Sequence, residues 1–188
     1  MLIPLILGSA SPRRQKILRR IGCAFTVSAA DTKEIHDAAD PIRTVTFNAM
    51  EKYRVCRLRH PGAALITADT LVWFEGCLIG KPADLDEAAS FLRSFSGRTQ
   101  IVYTGVALGL PGQEPELRVE ASSVRFRRLT SAVIADYLRR TRPLDRAGAY
   151  DIDENGDLLI AGTSGSYTNV MGLPEEPVRD WLRAHRLM

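Results

Sequence analysis

The stretch Leu5-Ile6-Leu7-Gly8-Ser9-Ala10-Ser11-Pro12-Arg13-Arg14 constrains the fold of this chain more than any other. The apolar run over residues 2–7 reads as a short buried strand. A turn of small residues follows. Ser11 then stands at a helix N-cap, with Pro12 at the first helical position, where a missing N–H costs nothing. Ile17, Leu18 and Ile21 make the apolar stripe of that helix, and Gly22 is its natural stop. Arg13-Arg14 is the oddity. Cations in a first helical turn oppose the helix dipole by a few tenths of a kcal/mol up to about 1 kcal/mol each. Two guanidiniums, a serine pair and free backbone N–H groups become favourable together when an anion sits among them, and phosphate is the natural candidate. A basic solvent face on a first helix is the competing reading. The stretch is neither a Walker loop nor a GxGxxG turn.

The 188 residues are 45% hydrophobic and 25% charged, enough for a core of ordinary size. The net charge of +3 is mild and does not call for nucleic acid as a partner. Cys23, Cys56 and Cys77 are far apart, with no C-x-x-C, so they read as reduced core cysteines of a cytoplasmic protein. No signal-peptide pattern opens the chain, and no apolar stretch approaches the roughly 18 residues of a membrane helix.

Residues 25–28 form a candidate second strand. Glu34 follows in a polar segment, well situated to reach a cleft, although an exposed loop acid is the commoner case. Asp40-Pro41 opens a helix that runs to about Arg59. Val45, Ala49, Lys52 and Cys56 share one face of it. An inward lysine needs an anionic partner, or else snorkels at the edge of the core. Residues 63–68 read as a buried strand with Asp69-Thr70 at its carboxyl end, where open α/β sheets bind ligands. A carboxylate there suits a general base or a metal ligand. Residues 71–74, a Glu75-Gly76 turn and residues 77–79 make a hairpin that returns Gly80-Lys81-Pro82 toward Asp69. Gly80 and Pro82 fix the backbone around Lys81, which suggests an aimed side chain; a turn lysine without a role is the bland reading.

Asp84 caps a helix ending at Ser96-Gly97, and residues 100–110 are a long strand. Residues 117–121 and 124–126 alternate as strand, with a bulge expected at Ser122-Ser123. Thr130 caps a helix ending near Arg140. Residues 151–157 resemble the start of a calcium loop, but Gly162 stands where the bidentate Glu is required. Asn155-Gly156 reads instead as a hairpin turn between residues 150–153 and 158–161. Residues 162–172 read as a polar, glycine-rich loop, and Leu173-Pro174 as the start of a last helix. Strands and helices alternate irregularly. The expected fold is α/β: a mixed twisted sheet flanked by helices and bent into two lobes around a central cleft. A phosphate-ready helix start, two cleft carboxylates (Glu34, Asp69) and two aimed lysines (Lys52, Lys81) together suit phosphate-anhydride hydrolysis.

The chain resembles the Maf family of nucleoside triphosphate pyrophosphatases, whose fold is Maf/ITPase-like. The resemblance rests on Ser9-Ala10-Ser11-Pro12-Arg13-Arg14, on Ala68-Asp69-Thr70 with Gly80-Lys81-Pro82, and on Ser96-Gly97 with Tyr103-Thr104-Gly105-Val106. It extends to Ala147-Gly148-Ala149-Tyr150 and to Gly165-Ser166-Tyr167-Thr168-Asn169-Val170-Met171-Gly172-Leu173-Pro174. Any one motif is weak; five in this order are very specific. The resemblance implies one domain over residues 1–188 that cleaves a nucleoside triphosphate between its α- and β-phosphates. It implies a divalent cation such as Mg²⁺ or Mn²⁺, and a homodimer without stable nucleic-acid or membrane partners. By position it assigns catalysis to Asp69, Lys81 and Lys52, phosphate contacts to Ser9, Arg13 and Arg14, and metal binding to Glu34 and Asp69. Arg13, Thr70 and Asp153 take the positions that set base preference. Two departures stand out. Arg146 occupies a position that is usually Lys. Asp153 occupies one that is Gln in members preferring dTTP and UTP, and those preferring 7-methyl-GTP carry an acid near there. A non-catalytic cell-division regulator, binding nucleotide, nucleic acid or a protein, is the alternative class.

Overall fold

Three strands of 11 residues decide the architecture: β3 (Ala64–Phe74), β5 (Thr99–Gly109) and β6 (Glu116–Phe126). They pair antiparallel in sequence order. At about 3.3 Å per residue each spans about 36 Å, enough to serve two cores placed end to end. The computed structural model describes residues 3–188; Leu2, where the expected first strand begins, lies outside the described residues. β1 (Leu5–Leu7), β2 (Thr26–Val27), β4 (Cys77–Ile79) and β7 (Ile160–Ser164) complete a seven-stranded sheet ordered β2-β1-β3-β5-β6-β7, with β4 also on β3. β1 runs parallel to both neighbours, so the sheet is mixed.

Side chains alternate across a strand, and both faces are covered. On one face, α1 (Pro12–Ile21) and α6 (Glu175–Ala184) pack over Leu7, Ile66 and Leu108. Further along that face, α3 (Leu85–Phe95) and α4 (Ser131–Thr141) pack over Phe74, Val102 and Phe126. These two cores are the two lobes. On the opposite face α2 (Pro41–Arg59) packs Tyr53 and Cys56 over Ile6, Leu65 and Ala107. Caps set the helix starts as the sequence implies: Ser11 Oγ, Asp40 Oδ1, Asp84 Oδ1 and Thr130 Oγ1 each accept the N–H three residues on.

The cleft has a topological cause. β1 pairs with β3 only as far as Leu7 opposite Ile66, and β4 begins only at Val72. Both lie on the edge of β3 away from β5. Residues 67–71 of β3 are therefore left without a strand neighbour on that side, and Asp69 and Thr70 sit in the gap. The sequence reading puts Asp69-Thr70 at the carboxyl end of residues 63–68 with strand continuing over 71–74; β3 runs unbroken from Ala64 to Phe74, so Asp69 and Thr70 lie mid-strand and the strand whose carboxyl end opens the crevice is β1.

Other expectations are corrected. The Tyr150–Asp153 hairpin does not form. The Asp151 N–H is donated to Tyr137 Oη at 2.8 Å and Asp151 Oδ1 accepts the N–H of Asp153 at 2.7 Å, so the segment is tied sideways. Asn155 adopts φ 54°, a 3₁₀ turn covers Gly156–Leu158, and β7 pairs with β6 instead. No bulge interrupts β6 at Ser122-Ser123; the irregularity lies opposite Arg125/Phe126, where β7 carries one extra residue. The glycine-rich loop is partly structured, as β7 and a short α5 (Tyr167–Val170), and the last helix starts at Glu175. Cys23 and Cys56 are buried, whereas Cys77 is exposed. No helix among the described residues is long and apolar enough to cross a membrane.

Gly105 of β5 lets α2 approach the sheet. A Cβ there would lie 2.6 Å from the carbonyl oxygen of Val45 and 2.7 Å from its carbon, both backbone atoms that cannot swing aside. Gly105→Ala must lift the helix, and is expected to cost about 3 kcal/mol, at the upper end for overpacking. For a chain of this size that lowers the melting temperature by about 6–12 °C. A thermal melt within 2 °C of the parent would contradict the close approach.

Candidate active site

Lys52 is held where helix periodicity puts it. It lies on the buried face of α2, 9% exposed, and its ammonium reaches the edge of β3. Its Nζ is 2.7 Å from Asp69 Oδ1 and 2.7 Å from Glu34 Oε1. Asp69 is 8% exposed, and Asn48 Nδ2 donates to its other oxygen at 3.0 Å. Two carboxylates and one ammonium thus meet at one point with a net charge of −1. Asn48 also clamps the loop that delivers Glu34: Ile35 N donates to Asn48 Oδ1 at 2.9 Å and Asn48 Nδ2 donates to Ile35 O at 3.1 Å. Sequence reading missed Asn48. The signal was present, because Asn48 lies four residues before Lys52 on the same helix face.

Glu34, Asp69, Thr70 and Lys81 border two adjoining cavities of about 500 Å³ each. The first is also lined by Ser11, Arg13, Arg14, Asp145, Arg146 and Asp151, so that the cations Arg13, Arg14, Lys81 and Arg146 share its walls with the carboxylates Glu34, Asp69, Asp145 and Asp151. The second carries Thr44, Asn48, Leu71, Leu78 and Ile79 and is more apolar. Lys81 is exposed, with no ion pair among the described residues. Its loop is fastened by the Gly148 N–H, which donates to Gly80 O at 3.0 Å. Lys81 and Asp69 line both cavities.

The guanidinium pair divides its labour. Arg14 Nε donates to Gly172 O at 2.8 Å, Nη1 to Ser9 Oγ at 2.9 Å and Nη2 to Thr70 Oγ1 at 3.1 Å. Three of its five N–H donors thus tie β1, β3 and the turn after α5 together, leaving two for a ligand. Burial lowers its pKa from the usual arginine value, against the pull of Asp69. Ser9 is buried and serves Arg14 in this structure. Thr70 Oγ1 is likewise engaged, with Arg14, with Thr104 Oγ1 at 2.9 Å and with Gly172 O at 3.3 Å. Arg13 is freer. It is about one-third exposed, and its Nη1 lies 3.5 Å from Asp151 Oδ2.

Asp151 is the second residue that sequence reading missed. It is buried, accepts from Arg146 Nε at 2.7 Å, and so holds Arg13 and Arg146 along one wall. Tyr137, whose hydroxyl accepts the Asp151 N–H, has its pKa pushed up to about 12, chiefly by burial. Asp153 is not in the cleft. Its carboxylate pairs with Lys16 and accepts from Tyr167 Oη at 3.3 Å, and Lys16 holds its pKa below the usual carboxylate value. Asp153 borders neither cavity, whereas Asp151 and Asp145 line the first beside Glu34 and Asp69.

A divalent cation has two carboxylates available, Glu34 and Asp69, both already drawn to a single positive centre. Among the described residues no group of three or more His, Cys, Asp or Glu could hold an ion alone. Two carboxylates, with the remaining positions left to phosphate oxygens and water, match how Mg²⁺ is usually bound beside a nucleotide. The residues fit a cation that arrives with a polyphosphate.

Comparison with known proteins bears on the family of the chain. A family model described as Maf-like protein matches residues 4–185. A dTTP/UTP pyrophosphatase of Myxococcus xanthus is 46% identical over 171 residues, 90% of this chain and 86% of that protein. Another, of Akkermansia muciniphila, is 40% identical over 184 residues, 97% of this chain and 95% of that protein. A third, of Symbiobacterium thermophilum, is 44% identical over 171 residues, 90% and 88% of the two chains. A solved nucleoside-triphosphatase / dITP/XTP pyrophosphatase from Mycobacterium abscessus is similar at TM-score 0.46 and 16% identity, covering 98% of this chain and 94% of that one. With its model matched almost end to end and relatives this similar along most of their length, this chain belongs to the Maf-like protein family.

Proposed function

We propose that this chain hydrolyses nucleoside triphosphates to the monophosphate and pyrophosphate, with dTTP and UTP the preferred substrates. The observation that carries the reading is the Glu34–Lys52–Asp69 cluster at the rim of a cavity walled by Arg13, Arg14, Lys81 and Arg146. The cationic wall neutralises the phosphate oxygens. The α1 N-terminus adds a favourable dipole. Asp69 takes a proton from water as the water oxygen bonds to the α-phosphorus, and the bond to the bridging oxygen breaks, so that pyrophosphate leaves with the electron pair. Lys52 and Asn48 each donate to one oxygen of Asp69 and together orient its carboxylate. Glu34 and Asp69 would hold a divalent cation, Mg²⁺ or Mn²⁺, which when bound supplies further neutralisation of phosphate charge.

The choice of base follows the names of the relatives, all three reported above being dTTP/UTP pyrophosphatases. The sequence argument for 7-methyl-GTP rested on an acid at Asp153, and that carboxylate is spent on Lys16 outside the cavity. A non-catalytic regulator is not favoured, because a nucleotide-binding module has no need of two carboxylates gathered around one ammonium.

Turnover of dTTP, UTP, CTP, ATP, GTP and 7-methyl-GTP, with Mg²⁺ or Mn²⁺ and with excess chelator, tests this. Monophosphate and pyrophosphate are expected in equal amounts. kcat/KM should be highest for dTTP and UTP by about tenfold, a difference of about 1.4 kcal/mol, and chelator should abolish turnover. Release of inorganic phosphate, or binding without turnover, would overturn the reading.

A further inference from the structure

The cations of the first cavity are not equally free. Lys81 is exposed and in no ion pair among the described residues. Arg14 donates only to neutral oxygens, those of Gly172, Ser9 and Thr70. Arg146 is shared among three carboxylates: Asp151 Oδ2 at 2.7 Å, Glu154 Oε2 at 3.0 Å and Asp145 Oδ1 at 3.1 Å. Arg13 lies 3.5 Å from Asp151 Oδ2 as well. Lys81 and Arg14 thus have the most charge left for phosphate, whereas Arg13, Asp151 and Arg146 form a cluster whose charges offset one another. None of these three lines the second cavity, so the cluster stands away from the border where Glu34, Asp69 and Lys81 meet both. Asp151 is 5% exposed and still has acceptor capacity unspent. An ionised carboxylate accepts at about four lone-pair sites. Oδ1 takes the Asp153 N–H at 2.7 Å and Oδ2 takes Arg146 Nε at 2.7 Å, while Arg13 stands beyond ordinary hydrogen-bond length. Arg13 makes no side-chain hydrogen bond among the described residues, and Arg146 spends three of its five donors.

We propose that Asp151 is the residue that selects the base: its carboxylate accepts the imide N–H of thymine or uracil, while Arg13 and Arg146 donate to the two flanking carbonyl oxygens. This rests on the hydrolase reading for the triphosphate class and adds the group that chooses among triphosphates. A carboxylate in contact with two guanidiniums offers donor, acceptor and donor. The imide edge offers the complement: O4 accepts, N3–H donates, O2 accepts. That edge is symmetric, so the match holds whichever guanidinium takes O2. Cytosine would turn the N3 lone pair toward Asp151 and its amino group toward a guanidinium. Adenine makes the same two conflicts with N1 and its 6-amino group. Guanine keeps an N1–H, but its 2-amino group would meet a guanidinium, with or without a methyl group at N7. The buried acid in this cavity therefore does not favour 7-methyl-GTP. A site built to bond a particular N–H rejects a base that lacks it, because the site's own buried polar group is then left unpaired. Val102, Ile152 and Val170 line the same cavity and offer apolar surface to the ring.

Calorimetric titration with the α,β-methylene analogues of UTP, CTP and N3-methyl-UTP, which resist cleavage at the scissile bridge, tests it in the presence of Mg²⁺. The parent chain is expected to bind the uridine analogue about tenfold or more tighter than either of the others. Asp151→Asn keeps an oxygen for the Asp153 N–H and for Arg146, but its amide can turn an N–H toward the base. The uridine-to-cytidine ratio should then fall to within about twofold of one. A structural role for Asp151 would weaken both analogues together and leave that ratio alone. A thermal melt checks that the variant is folded, and the N3-methyl comparison on the parent chain decides the question if it is not. Equal binding of the uridine and N3-methyluridine analogues by the parent chain overturns the proposal. So does a folded Asp151→Asn that keeps the parent's ratio. Because binding is measured, the two readings separate: loss of these ratios beside normal turnover sinks the role of Asp151 alone, and absent turnover beside intact ratios sinks the hydrolase reading alone.

Discussion

Asp69→Asn is expected to slow pyrophosphate release by about 10³-fold, within the range that a positioned general base contributes, while KM for dTTP stays within about threefold. The substitution is nearly isosteric, and its amide oxygen can still accept from Lys52 or from Asn48, so the cavity keeps its shape. What is lost is the ability to take a proton from water. The Arg13, Arg14 and Lys81 wall is untouched, and ground-state binding of the triphosphate survives. A change in kcat without a matching change in KM is the mark of an interaction made in the transition state. A variant that keeps a tenth of the parent rate would place the base elsewhere. Steady-state kinetics at saturating cation, beside a thermal melt to confirm folding, make the measurement.

Lys52→Met is expected to damage stability and rate together. Lys52 stands 2.7 Å from an oxygen of each carboxylate. Without its ammonium, Glu34 and Asp69 face each other with nothing between them, and Asp69 is buried. Breaking a buried pair by removing one partner costs about 3–5 kcal/mol. Glu34 is partly exposed, with 38% of its side-chain surface accessible, so the lower end applies. About 3 kcal/mol lowers the melting temperature by about 6–12 °C in a chain of this length. The signature beyond simple damage is metal rescue. A divalent cation that binds between the freed carboxylates stabilises only the folded form, by about 1.4 kcal/mol per tenfold excess over its dissociation constant. Melts of Lys52→Met should therefore rise with added Mg²⁺ more steeply than melts of the parent chain. Removing one acid as well, in Lys52→Met with Glu34→Gln, should abolish most of that rise. Equal Mg²⁺ dependence in all three proteins would separate the carboxylates from any cation site.

Much of this site was legible in the sequence because it is written in helix periodicity and in caps. Lys52 falls inward because it is three residues after Ala49 and four before Cys56, and a buried ammonium must find an anion. Asn48 belongs to the same stripe and was overlooked because Asn is ordinarily a surface residue; its two-ended grip on Ile35 shows why it is inside. The cleft itself was not legible. It exists because, along one edge of β3, β1 stops opposite Ile66 and β4 pairs only from Val72 on, and strand partnership is a tertiary fact. The fate of the segment around Asn155-Gly156 was hidden for a related reason. The dipeptide does turn, but β6 offers Ile160–Ser164 a better partner than a local hairpin, and Tyr137 and Arg146 capture Asp151. That capture moves Asp153 out to Lys16, which alignment by motif had no means of revealing.

Hydrolysis of dTTP in ¹⁸O-labelled water tests most directly the central claim, that Asp69 and the surrounding cations aim water at the α-phosphorus. The label is expected in the monophosphate, one oxygen per molecule, with pyrophosphate unlabelled, and in Asp69→Asn labelled monophosphate should form more slowly with the same one oxygen per molecule. Label in pyrophosphate, or in released inorganic phosphate, would mean that water attacks a different phosphorus and that the cleft holds its substrate in another way.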